Sequence, residues 1–146
     1  MKKRKKIRKK EAYILKGDSV ELCLKKAMEE GLPIDQVLRL FLRDTNFTDV
    51  LVAHNVAFDY GVVRSELLRQ NIPDFLRDIK MFCTMTSKQV LDYVKSFRSN
   101  GSRQCPSLSE LYFLLFNAKL DNAHNALADA EACANCFFEL KKIGMV

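Results

Sequence analysis

Apolar residues recur along this chain in two rhythms, and each predicts a different element. "DSVELCLKKAMEEG" predicts a helix, with Asp18 or Ser19 as N-cap and Gly31 just beyond its end. "LPIDQVLRLFLRD" predicts a second, with Pro33 in the first turn and Ile34, Val37, Leu38 and Phe41 as its apolar stripe. "DVLVAHN" is a short apolar run ending in polar residues, as a buried strand would. "FDYGVVRSELLRQN" returns to helical spacing, with Val62, Val63, Glu66 and Leu67 near one face, and stops before Pro73. "DIKMFCT" is a second strand, followed by a helix over 85–96. "SFRSNGSRQCP" is a loop, "SLSE" at 107–110 a capping box opening the helix "LSELYFLLFN", and "AHNALADAEACANCFFELKK" holds the last helix. This order implies an α/β architecture with at least one right-handed strand–helix–strand unit.

Length and composition narrow the class. With 146 residues, 48% of them hydrophobic, the chain is long enough for one substantial core. The net charge of +6 is a property of one end: "MKKRKKIRKK" carries eight of the 24 Lys and Arg residues, and the other sixteen cations face 18 acids. Residues 1–10 therefore form a basic tail, and 11–146 the folded domain. Such a tail is either a solvated end or a contact for phosphates. "LYFLLF" at 111–116 is the longest dense apolar run. It falls far short of the roughly 20 residues that span a bilayer. A soluble, cytoplasmic protein without membrane contact is expected.

The five cysteines are odd in number and scattered, which fits a reducing compartment better than a disulfide framework. Cys133 and Cys136 have metal-pair spacing, and His124 and Cys105 could complete a zinc site. The Ala-rich helical setting favours small core residues instead.

Asp59 poses the chemical question, since a carboxylate in so apolar a stretch needs a partner. Three stretches belong with it: "VAHNVAFD" at 52–59, "CTMTS" at 83–87 and "AHNALAD" at 123–129. The first matches the pattern HNxxFD through His54, Asn55, Phe58 and Asp59. The third matches HxAxxD through His124, Ala126 and Asp129. In both order and spacing the chain resembles the DnaQ-like 3′-5′ exonuclease family of the DEDDh type, from about residue 17 to its end.

The resemblance implies a ribonuclease-H-like fold and metal-dependent hydrolysis of phosphodiester bonds from the 3′ end of DNA or RNA. It implies Mg²⁺ or Mn²⁺ in a two-metal site, with Asp59 and Asp129 as metal ligands and His124 as general base. His54, Asn55 and Phe58 would line the approach to the terminal nucleotide of a single strand. On a regular helix five residues put His124 and Asp129 roughly 140° apart, so His124 is expected in the loop or first turn. Alanines at 123, 126, 128, 130, 132 and 134 make the helix slim, for close approach to a sheet.

Each residue also has a plain structural reading. Phe58 could be core, His54-Asn55 a strand-ending turn, His124 and Asp129 helix-start polar residues, and Asp59 a first-turn carboxylate favoured by the helix dipole.

The family's first motif, D-x-E on an opening strand, has no counterpart before Asp59. The expectation is an N-terminally truncated fold that lacks most of its antiparallel strands, with a helix-rich remainder, a short parallel sheet and an incompletely liganded metal site. The strand "DVLVA" would then have an open edge, available to a second copy or to a separate N-terminal piece. The alternative reading is a non-catalytic module that binds single-stranded nucleic acid, or an interaction scaffold.

Overall fold

The computed structural model describes residues 25, 28–95, 101–121 and 125–146. The chain divides into two units, Met1–Gly31 and Leu32–Val146. Of the first, Lys25 and residues 28–30 are helical, and Lys25 pairs with Glu29 at 3.8 Å, one helical turn on. The rest of the helix expected over 18–31, and the basic residues 1–10, lie outside the described residues.

The second unit has the element order α1 (Ile34–Thr45), β1 (Val50–Ala53), α2 (Val56–Arg69), β2 (Lys80–Cys83), α3 (Lys88–Val94), α4 (Leu108–Phe116) and α5 (Ala126–Lys142). It is an α/β unit. The strands β1 and β2 are parallel, paired from Val50↔Lys80 to Ala53↔Cys83, with α2 as the crossover. Parallel neighbours require such a crossover, and the stretch between the two apolar runs supplies it.

Element boundaries follow from local chemistry. Pro33 is the N-cap of α1, just outside the first turn, because its backbone is extended there (ψ 141°). α2 begins at Val56, two residues before the start expected from "FDYGVV". Asn55 adopts the left-handed conformation (φ 81°, ψ 46°), which turns the chain from strand into helix in one residue. Asn tolerates that region better than most residues.

The helix expected over 85–96 starts later, at Lys88. Met85 to Ser87 instead close a turn in which the Ser87 amide donates to the Cys83 carbonyl at 3.1 Å. The capping box at α4 is present. Ser107 Oγ accepts from the Glu110 amide at 3.2 Å, and the Ser107 amide donates to Glu110 Oε2 at 2.7 Å. Asn125 caps α5, its side chain accepting from the amides of Leu127 and Ala128 at 3.1 and 3.2 Å.

The core gathers where α4 and α5 meet the strands. Val90, Leu111, Cys136 and Leu140 are fully buried, with Phe82, Tyr112 and Phe116 packed against them. The Phe82 and Phe137 rings sit 5.4 Å apart, fastening β2 to α5. On α1 only Leu38 of the apolar stripe is buried, while Phe41 meets Phe75 in the α2–β2 connection at 6.3 Å. Val62, expected on the inner face of α2, is half exposed, and Leu67 is the residue of that helix that reaches the core.

Cys133 and Cys136 are core residues. Burial pushes the Cys136 thiol up to about 12, as befits a small apolar filler. Among the described residues no group of three or more His, Cys, Asp or Glu side chains gathers as a metal site. His124, a further ligand in the zinc reading of "CANC", lies outside the described residues.

Candidate active site

Parallel strands deliver their carboxyl ends to one side of a sheet, and the helices that follow begin there. β1 ends at Ala53, His54 and Asn55 make the turn, and Asp59 falls in the first turn of α2. Asp129 falls in the first turn of α5, a helix packed against β1. The Asp129 amide donates to the Asn125 carbonyl at 2.8 Å, inside the turn that Asn125 caps. Two carboxylates thus come to the positive ends of two helices, where the backbone dipoles favour negative charge.

Both line one cavity of about 500 Å³. Its walls are Val52, Ala53 and His54 from the end of β1, Leu108 from α4, and Ala126, Ala130, Cys133 and Ala134 from α5. The alanines at 126, 130 and 134 recur every four residues on a helix that comes close to β1, as their small size suggested. They form the cavity's wall, and of the alanine series in α5 it is Ala132 that is buried.

The electrostatics follow from partial burial. Desolvation raises the Asp59 pKa above 3.8, against a lowering from its own backbone amide and from His54. Desolvation lowers the His54 pKa below 6.5, against the raising effects of the Pro106 carbonyl and of the charges on Asp129 and Asp59. The imidazole is therefore neutral near pH 7.

Its hydrogen bonds fix the tautomer. Nε2 lies 3.1 Å from the Pro106 carbonyl oxygen, which can only accept, so Nε2 carries the proton. Nδ1 then accepts from the Thr84 hydroxyl at 3.0 Å.

The residues singled out in the sequence are distributed as follows. Asp59, Asp129 and His54 share the cavity. Asn55 shapes the turn through its backbone, with no side-chain cap on α2. Phe58 is 64% exposed and lines a different depression, with Ala57, Gly61, Val62 and Arg69 on the outer side of α2. His124 lies outside the described residues. Sequence reasoning passed over Thr84 and Pro106, although "CTMTS" had marked the stretch that contains the first of them.

Hard divalent cations take oxygen ligands, and two carboxylates on one wall are a start. Among the described residues no third side chain gathers with them as a ligand set, and the His54 ring nitrogens are engaged by Thr84 and Pro106. The described residues do not by themselves fit a complete divalent-metal site.

The sequence model of the exonuclease family of RNase T type matches residues 23–137. That is most of the chain, and the chain belongs to this family of DnaQ-like, DEDDh-type exonucleases. A comparison with curated proteins gives no match. Nuclease chemistry, with nucleic acid as the substrate class, goes with that membership. No helix among the described residues is long and apolar enough to cross a membrane.

Proposed function

We propose that the cavity between α2 and α5 is the active site of a 3′-5′ exonuclease domain acting on single-stranded DNA or RNA ends. The observation that carries this reading is the meeting of Asp59 and Asp129 at two helix starts on one cavity, in a chain of the exonuclease family.

In the proposed reaction a water oxygen bonds to the terminal phosphorus. The bond from phosphorus to the preceding nucleotide's 3′ oxygen breaks, that oxygen takes a proton from solvent water, and a nucleoside monophosphate leaves. His124 takes the water's proton, a role assigned by its match to HxAxxD. Asp59 and Asp129 present the negative charge that would hold Mg²⁺ or Mn²⁺ once further oxygen ligands join them. Among the described residues β1 pairs only with β2. A further strand laid along the other edge of β1, from a second copy or a separate piece, would be the source of those ligands.

The test is a 5′-labelled single strand incubated with Mg²⁺ or Mn²⁺ and resolved by length. The expected result is stepwise shortening from the 3′ end, lost in Asp129→Asn. Retention of the strand without shortening would instead make this a binding module, the second reading that the incomplete ligand set favours. Neither retention nor shortening would reject both.

A further inference from the structure

We infer that Thr84 is a positioning residue for the two carboxylates: its buried hydroxyl ties the turn leading to Asp59 to the helix that carries Asp129. The inference rests on the active-site reading above and adds to it a residue whose side chain does not line the cavity.

Thr84 follows directly on β2 and is fully buried. Its amide donates to the Ala53 carbonyl at 3.1 Å, carrying the strand pairing one residue beyond Cys83. That fixes its backbone against the last residue of β1. The side chain then makes two contacts of different reach. Oγ1 is 3.0 Å from His54 Nδ1 and 3.5 Å from Cys133 Sγ. The Ala53 carbonyl lies 3.5 Å away as a weaker alternative acceptor.

A hydroxyl has one hydrogen to give and can accept as well. Because the Pro106 carbonyl holds the proton on His54 Nε2, Nδ1 must accept, and the Thr84 hydrogen goes there. The contact with Cys133 is then made in the other direction, the thiol donating to Thr84 Oγ1. The chain of donors runs from Cys133 to Thr84, from Thr84 to His54 and from His54 to Pro106. Every link has a single allowed direction.

Position in the fold gives this chain its consequence. His54 is followed by the left-handed Asn55, and that turn launches α2 with Asp59 in its first turn. Cys133 lies four residues after Asp129, one turn further along the same side of α5. A rotation of either helix start that separated the carboxylates would break a link at Thr84. Buried groups left unpaired are costly, so the hydroxyl resists both movements.

Thr84→Val keeps the shape and removes the hydroxyl, and Thr84→Ser restores it. Long-range proton–nitrogen NMR of the His54 ring reads which nitrogen is protonated, and the amide signals of Asp59 and Asp129 read their placement. The wild type is expected to show one ring form, protonated on Nε2. In Thr84→Val the Pro106 carbonyl should keep the proton on Nε2 while the Nδ1 signal shifts for want of its donor, and the Asp59 and Asp129 amides should both shift while Asp35 and Asp44 on α1 stay. Thr84→Ser should return all three signals.

An unchanged His54 Nδ1 signal in Thr84→Val, or movement of only one of the two aspartates, overturns the inference. Should Thr84→Val fail to fold, Cys133→Ala decides: it must move Asp129 while the His54 ring keeps its form, and failure of either overturns the inference. For strand cleavage, Thr84→Val should lower kcat roughly tenfold with KM unchanged, recovered by Thr84→Ser. A wild type that never cleaves would sink the nuclease reading, while the ring and amide signals still judge Thr84.

Discussion

His54 and Asp59 show how one cavity shifts two titrating side chains against their usual charge. Burial makes each charged form costly, so the imidazole stays neutral and the carboxyl holds its proton to higher pH. The signs give opposite pH effects. Below 6.5 an unfolded chain takes a proton that the folded His54 refuses, so stability falls from 6.5 down to the lowered folded value and then levels. Asp59 acts the other way, from its raised folded value down to 3.8, where the folded chain is protonated first.

His54→Ala should remove the upper of these two slopes. It should also cost about 2 kcal/mol at pH 7, because the Thr84 hydroxyl and the Pro106 carbonyl lose their partner. Denaturant unfolding at several pH values measures both. Asp59→Asn should raise stability slightly, by no more than about 0.5 kcal/mol given its solvent exposure. The same variant should abolish strand cleavage. Functional carboxylates commonly sit where the fold would be more stable without them.

Helix starts dominate at the scale of elements. α4 and α5 both open on side-chain caps, and α2 opens on a left-handed asparagine with none. Asn125 matters most, because its side chain satisfies two amides in the turn that carries Asp129. Asn125→Ala should cost about 1 kcal/mol of stability. It should also lower cleavage more than Ser107→Ala, which removes a cap of similar worth on α4, a helix that carries neither carboxylate. Melting temperatures and initial rates for the two variants make the comparison.

Across the whole molecule, charge and chemistry are separated along the sequence. Residues 1–10 hold a third of the Lys and Arg, whereas Asp59 and Asp129, 70 residues apart, face one cavity. If the basic decapeptide contacts phosphates, deleting it should weaken binding of a single strand and flatten its salt dependence. Rates at saturating strand should change little. A fluorescence anisotropy titration at several salt concentrations reads the slope, and an unchanged slope would leave residues 1–10 without a role in binding.

The elements themselves were legible because each is written in local chemistry. The apolar run "VLVA", the helical spacing of "VVRSELL" and the box "SLSE" act over a few residues, and the structure has all three elements where they stand. Boundaries moved where one backbone angle decided them, as at Asn55, or where a turn intervened, as at Met85 to Ser87. The motifs also pointed to Asp59 and Asp129. Their common cavity depends on α5 packing against β1 across some seventy residues, and no spacing along the chain encodes that contact. The same holds for Phe58, which one residue's rotation around α2 carries to the outer surface, and for Thr84, whose role comes from neighbours 30 and 49 residues away. By itself the sequence determined α1 to α5, the two strands and the family to which the chain belongs. Tertiary packing decided which of those residues face one another, because burial and hydrogen-bond geometry exist only once distant segments meet.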